Sequence, residues 1–289
     1  MEGRREHSRV LAFLNEVAGG RKLLSSIRER VEAGADLVAI AAPQNQPAVG
    51  QLITDGALRE AAESRVDVTL AILEEFGVDA VGEVLDPDPP LALDDAVRAW
   101  DPSDILISCL AETRFGLLRR DLVEWARERY PEIEVEHIPV RVEDDAVRWD
   151  LTHTLVVATQ TVASGDLIEH LKKKAKEAPH RYTIVCPRSG EIKREEICRR
   201  LARTLSELYR EEIDATGQPL SPAPFEAVEN AIEHYRIDEI LISTFSGETS
   251  KWLEEDLVGR VREITDKPVE HVVAGADKPA AAAEPAEVG

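Results

Sequence analysis

The run DILIS at residues 104–108 has a near copy, EILIS, at residues 239–243. Each run is short, apolar and rich in isoleucine, without a regular alternation of polar and apolar side chains. That pattern is typical of a strand buried on both faces, as in a parallel sheet. The two runs therefore predict one central strand in each half of the chain.

Further matches flank the two runs in the same order. Paired prolines precede each run and an Asp-Leu pair follows it, at Pro87, Pro89, Asp121 and Leu122 in the first half and at Pro222, Pro224, Asp256 and Leu257 in the second. VEHI at 135–138 corresponds to VEHV at 269–272. Near the start of each unit, Asn15 and Gly20 correspond to Gln160 and Gly165. A shared order over a whole unit indicates an internal duplication.

Apolar runs of strand length alternate with helical patterns along the chain. In the second half, strands are predicted at 154–158, 182–186, 213–216, 239–243 and 268–273. The alternation predicts an α/β fold made of two repeated, doubly wound units, each with a five-stranded parallel sheet in the order 3-2-1-4-5. The predicted domains are residues 1–141 and 151–274. Residues 275–289, rich in Ala, Pro and Glu, are predicted to form a disordered tail.

Composition limits the classes of partner. The net charge of −21 comes from 56 acidic and 35 basic residues. Such an acidic surface repels phosphate backbones and anionic lipids, so we expect neither nucleic acid nor a membrane as a partner. The first residues are charged and no apolar run approaches the roughly 20 residues that span a bilayer, which predicts a cytoplasmic protein. Cys109, Cys186 and Cys198 lack the CxxC spacing of metal and redox sites, and we expect buried thiols.

The predicted topology also places a candidate ligand site in each half. In an open parallel sheet, ligands bind at the carboxyl ends of the strands where the winding direction reverses, here between strands one and four. Helices that start near Gly20 and Gly165 would offer free N–H groups to an anion. The candidate binding residues are Asn15, Gly20, Ser108 and Asp121 in the first half, and Gln160, Gly165, Ser243, Ser246 and Asp256 in the second.

The two units, with their D/E-I-L-I-S fourth strands, resemble universal stress proteins over nearly the whole chain. The resemblance implies an adenine-nucleotide alpha-hydrolase-like fold. In that family, ATP-binding members carry an Asp after the first strand, which contacts the adenine. They also carry G-x2-G-x9-G-S/T after the fourth strand, whose glycines let the backbone wrap the phosphates. Here the Asp position holds Asn15 and Gln160, and every motif glycine is replaced.

The last motif glycine is replaced by Asp121 in the first half and by Asp256 in the second. Two unit charges about 4 Å apart repel by about 4 kcal/mol at an effective dielectric constant of about 20, so each carboxylate would oppose a triphosphate. An Asp near a helix N-terminus is, however, more often a cap than a ligand. We therefore expect Asp121 and Asp256 to cap helices, with binding of some ligand other than ATP as the alternative.

Together these patterns predict a non-enzymatic, stress-associated regulatory or scaffold protein of the tandem universal stress type. We expect an unknown protein partner and no cofactor. The alternative is a sensor that binds AMP, ATP or another small ligand in one half. An enzyme of the wider adenine-nucleotide alpha-hydrolase-like group ranks last, because no nucleophile is paired with a base in both halves.

The fifth strand of each unit lies at a sheet edge in the order 3-2-1-4-5, and an exposed apolar edge invites aggregation. Fusion of the units places two such edges in one molecule at high effective concentration. We therefore expect an intramolecular pseudo-dimer in which residues 135–138 meet residues 269–272 across a pseudo-twofold axis, as in dimers of the resembled family. His137 and His271 would then lie at or near the contact.

Overall fold

The computed structural model describes residues 8–15, 18–45, 55–109, 114–115, 120–139, 151–187, 192–220, 224–234, 236–246 and 256–275. The described helices are α1 (Arg21–Glu32), α2 (Asp55–Glu75), α3 (Pro89–Trp100), α4 (Leu122–Arg129), α5 (Gly165–Glu177), α6 (Arg194–Arg210), α7 (Pro224–His234) and α8 (Leu257–Ile264). The first-half strands are β1 (Arg9–Leu14), β2 (Ala18–Gly19), β3 (Leu37–Pro43), β4 (Ala80–Leu85), β5 (Asp104–Cys109), β6 (Arg114–Phe115), β7 (Arg120–Asp121) and β8 (Glu134–Pro139). The second-half strands are β9 (Thr152–Val157), β10 (His180–Pro187), β11 (Asp214–Leu220), β12 (Glu239–Phe245) and β13 (Val269–Ala274).

Two large sheets organise the chain. The first has the order β4-β3-β1-β5-β8, and all of its pairings are parallel. The second has the order β13-β12-β9-β10-β11-β2, in which only the β11–β2 pairing is antiparallel. The predicted α/β class and a five-stranded parallel sheet are confirmed. The run DILIS lies in β5, beside the central strand β1.

Each sheet is covered on both faces by helices. In the first sheet, Leu11 and Phe13 of β1 pack toward α3 and α4, whereas Val10 and Ala12 pack toward α1 and α2. Strands with both faces buried need apolar side chains at every position, and five of the six residues of β1 are fully buried. This burial is the physical reason why the apolar runs are continuous.

The second sheet has the same two layers, and both of them include residues from the first half. Leu155 and Val157 of β9 pack toward α7 and α8, in a cluster that also contains Ala61 of α2. On the other face, the cluster formed by α5 and α6 also contains Val68 and Ile72 of α2. The two halves therefore share a hydrophobic core.

Helices α2 and α6 form the main contact between the halves. Phe76 at the end of α2 contacts Tyr209 edge to face, with ring centroids 5.3 Å apart. At the other end of the contact, Arg194 of α6 forms ion pairs with Glu63 at 3.2 Å and Asp67 at 3.1 Å. These contacts show that α2 and α6 run parallel along the junction.

A short strand of the first half also completes the second sheet. In β2, Gly19 is opposite Thr216 of β11. A Cβ atom on Gly19 would lie 3.1 Å from the carbonyl oxygen of Ala215, and Gly19 has a φ of +82°, so the close approach of the two strands depends on glycine. The N–H of Arg21, just beyond β2, donates to the carboxylate of Asp214 at 2.8 Å.

The expected pairing of the fifth strands is wrong for the described residues. Within that part of the chain, β8 pairs only with β5 and β13 only with β12. The halves instead meet through α2, α6, β2 and β11, because the apolar side chains of α2 fill the core beside α6. His137 and His271 face their own sheets: His137 contacts the Cys109 carbonyl at 3.2 Å, and His271 contacts the Thr244 hydroxyl at 2.9 Å.

Three further expectations concern the cysteines, membrane-spanning helices, and the predicted linker and tail. Cys109, Cys186 and Cys198 are free and buried, as predicted. Among the described residues, no helix combines the length and apolar character that crossing a membrane requires. Residues 276–289 of the predicted tail and residues 142–150 between the predicted domains lie outside the described residues.

Candidate functional site

The switch point of the first sheet, where the winding direction reverses between β1 and β5, is held together by Asn15. This residue follows β1 and is fully buried. Its backbone N–H donates to the Ser108 carbonyl in β5 at 2.9 Å, and its side-chain oxygen accepts from the Asn45 amide beyond β3 at 2.8 Å. Asn15 therefore joins the carboxyl ends of three neighbouring strands.

The switch point of the second sheet is closed by two threonines, neither of which is among the predicted binding residues. Thr161 donates its hydroxyl to the Ser243 carbonyl at 3.1 Å, and Thr159 donates to the Pro187 carbonyl. Both threonines are buried, whereas Gln160 between them is exposed. The Gln160 carbonyl accepts from Arg200 at 3.3 Å. Gln160 and Asn15 were predicted to be equivalent, but their side chains differ in exposure: Asn15 is buried, whereas Gln160 points outward.

The N-termini of α1 and α5 find partners inside the protein. Gly20 lies against β11, its N–H donating to the Ala215 carbonyl at 2.9 Å. Ser164 caps α5 by accepting the Leu167 N–H at 3.3 Å, directly before Gly165. These contacts, with the Asp214 carboxylate on the N–H of Arg21, occupy some of the N–H groups that were expected to be free near Gly20 and Gly165.

Asp121 and Asp256 act as helix caps. Asp121 accepts the N–H groups of Val123 and Glu124 at the start of α4, both at 2.9 Å. Within the part of the chain that the structure describes, Asp256 accepts one N–H group, that of Gly259 in α8 at 3.2 Å, and it has a left-handed φ of 47°. Both carboxylates therefore accept N–H groups at the start of a helix, where the helix end favours negative charge.

The cap at Asp121 allows a direct stability test. We expect Asp121→Ala to lower the free energy of unfolding by about 1–2 kcal/mol, because two backbone donors lose their acceptor. Asp256→Ala is the matched control and should cost less, since it removes a single longer hydrogen bond. Urea denaturation followed by circular dichroism measures both. Equal costs for the two variants would contradict the assigned geometry.

Ser246 lies beyond β12, and its N–H donates to the Ala274 carbonyl of β13 at 2.9 Å. Ser243, in β12, is 1% exposed. Its hydroxyl oxygen has no hydrogen-bond partner among the described residues. Of the predicted second-half residues, Ser243 is thus the one with unused hydrogen-bonding capacity in the interior.

The halves also share an ion-pair arrangement away from the switch points, which the sequence analysis missed. In each half, a basic side chain of one helix lies between carboxylates of two neighbouring strands. Arg30 of α1 lies between Asp104 of β5 and Glu136 of β8. Lys174 of α5 lies between Glu239 of β12 and Glu270 of β13. Burial opposes the charge of Glu270, but the hydrogen bonds and charges of Lys174 and His170 outweigh it and lower the pKa of Glu270. The arrangement fixes α1 and α5 to their sheets.

Comparison with known proteins gives structural neighbours only. No family model matches the sequence, and no curated protein matches it. A universal stress protein from Archaeoglobus fulgidus DSM 4304 is similar at 14% identity with a TM-score of 0.34, covering 93% of this chain and 97% of that one. A protein assigned to the same family from Pseudomonas aeruginosa UCBPP-PA14 is 14% identical with a TM-score of 0.30, covering 93% and 94%. A glycosyltransferase from Rickettsia africae ESF-5 is 11% identical with a TM-score of 0.27, covering 94% and 81%. TM-scores this low carry no argument about family or function.

Proposed function

We propose that the chain is a non-enzymatic regulatory or scaffold protein of the tandem universal stress type, and that neither switch point binds ATP. The observation that carries the proposal is that polar groups at each switch point bond to one another. Asn15 bonds to Ser108 and Asn45, and Thr161 bonds to Ser243. A nucleotide would have to break these contacts or find other partners.

The two capping aspartates support the same proposal. A helix N-terminus attracts phosphate because its free N–H groups point toward the ligand. At α4, the Asp121 carboxylate already accepts two of these N–H groups. It also places a negative charge where a phosphate would approach. The association with stress is drawn from the sequence resemblance, and the proposed partner is another protein.

Calorimetric titration with MgATP tests the absence of nucleotide binding. We expect no saturable heat below millimolar ATP for the wild-type chain. Asp121→Asn removes the charge while keeping the shape of the side chain, and it should also fail to bind because the motif glycines are missing. A micromolar dissociation constant for the wild type would overturn the proposal. Binding by the variant alone would show that the carboxylate, and not the loss of the glycines, excludes ATP.

A second candidate function is a small-ligand sensor that binds AMP, ATP or a related compound in one half. Two observations favour it: the buried hydroxyl oxygen of Ser243 and the buried side-chain oxygen of Asn45 have no hydrogen-bond partner among the described residues. Both lie next to a switch point, and buried polar atoms are normally satisfied. Native mass spectrometry after gentle purification discriminates the candidates, because a co-purifying nucleotide would support the sensor.

A further inference from the structure

A groove of about 520 Å³ lies where α2, α6 and the turn before β4 meet. Its floor is apolar and includes Leu70, Ala71, Val78 and the buried Cys198. The groove is large enough for one or two amino-acid side chains, and pockets of this volume commonly bind ligands. It includes the turn at 77–79, which precedes β4 and so lies at the opposite end of the first sheet from Asn15.

The rim of this groove is acidic. Asp67, Glu74, Asp79 and Glu195 line it together with a single basic residue, Arg199. Arg199 pairs outside the groove with Glu196 at 2.7 Å. Among the described residues, no basic side chain forms an ion pair with Glu74, Asp79 or Glu195.

At Asp67, burial acts on the carboxyl group first and the neighbouring acids add to its effect. Burial raises the pKa of Asp67; the charge of Arg194 opposes the rise, and the negative charges of Glu63 and Glu195 add to it. Asp67 already pairs with Arg194, so a cation placed in the groove would be attracted mainly by Glu74, Asp79 and Glu195. The rim is therefore complementary to a positively charged partner.

The groove also reaches an open strand edge. Ala80 lines the groove and is the first residue of β4. In the described part of the chain, β4 pairs with β3 on one side only, so its other side presents unpaired backbone groups. A row of such groups can accept an added strand from an extended peptide.

We propose that this groove docks an extended segment of a partner protein that carries lysine or arginine. The aliphatic stem of a basic side chain fits the apolar floor while its charged end reaches the carboxylates of Glu74, Asp79 and Glu195. The backbone of the segment pairs with the open edge of β4. The inference goes beyond the proposed function and does not rest on it, because none of the switch-point residues lines the groove.

Fluorescence anisotropy with a labelled Lys-Val-Lys-Val-Lys-Val peptide tests the proposal on the full-length chain. The groove variant Glu74→Gln, Asp79→Asn, Glu195→Gln should bind the peptide about tenfold more weakly than the wild type, because it lacks three charge contacts. The matched control Glu29→Gln, Glu132→Gln, Glu263→Gln loses the same net charge at exposed positions elsewhere and should bind like the wild type.

Three results would overturn the proposal. They are no binding by the wild type at submillimolar peptide, equal weakening in both variants, and an unchanged affinity in the groove variant. Equal weakening would assign the effect to net charge alone. A peptide N-methylated on alternate residues tests the strand pairing separately: it should bind more weakly, and unchanged binding would exclude β4 as the pairing edge. Circular dichroism checks that all variants keep the wild-type fold.

Discussion

Ile72→Ala is expected to lower the free energy of unfolding by about 3 kcal/mol and to loosen the second half of the molecule. Ile72 lies on α2 in the first half, is fully buried, and belongs to the core cluster that α5 and α6 build against the second sheet. Shortening it leaves a cavity in a core that both halves share. Urea denaturation measures the loss, and hydrogen exchange of β10 and β11 shows where the structure opens.

The neighbouring residue Leu73 provides a matched control. It is equally buried on the same helix but packs in the core of the first sheet. Leu73→Ala should cost a similar free energy without a selective rise of exchange in β10 and β11. Leu91→Ala, at a position 56% exposed, should change stability by less than about 0.5 kcal/mol. Indistinguishable exchange patterns for Ile72→Ala and Leu73→Ala would contradict the shared core.

Gly19→Ala is expected to cost about 3 kcal/mol. The substitution forces a residue with a Cβ atom into a positive-φ conformation, which costs about 1–2 kcal/mol. It also places that atom 3.1 Å from the Ala215 carbonyl oxygen and 3.3 Å from a methyl group of Leu205. The edge pairing between β2 and β11 should therefore weaken.

Gly34→Ala separates the two parts of this effect. Gly34 also has a positive φ, +98°, but a Cβ atom there would meet nothing within 4 Å. The control should lose only the conformational contribution, so that Gly19→Ala is the more destabilising variant by about 1–2 kcal/mol. Thermal and urea denaturation of both variants give the comparison, and equal losses would show that β2 can move away from β11 at no cost.

The sequence pattern predicts the sheets well because burial on both faces leaves a local signature. The runs at 104–108 and 239–243 lie in β5 and β12, and the α/β class follows from their alternation with helices. The junction between the halves has a weaker signature. Helix α2 carries two apolar stripes, one facing its own sheet and one facing α6. Only the second stripe indicates that the helix contacts the other half of the chain. The predicted contact through the fifth strands did not take this second stripe into account.

The candidate site could be predicted only in part. A sheet topology locates the switch points, and an Asp before a helical pattern indicates the cap at Asp121, since both depend on local sequence. The partners of Asn15 and the closure by Thr161 depend on loops from distant strands, and no spacing rule relates them. Likewise, the two-residue strand β2 is too short to leave a periodic pattern.

The closure of the second sheet by β2 has a consequence for the order of synthesis. Gly19 is made about 200 residues before the last residue of β11. At the usual rates of about 5–20 residues per second, the strand is ready roughly 10–40 seconds before its partner strand is complete. The newly made edge of β11 can therefore pair with β2 of its own chain, which is already present, instead of with a strand of another chain that is being synthesised. A fragment that began after residue 150 would emerge without this neighbour and would expose the edge.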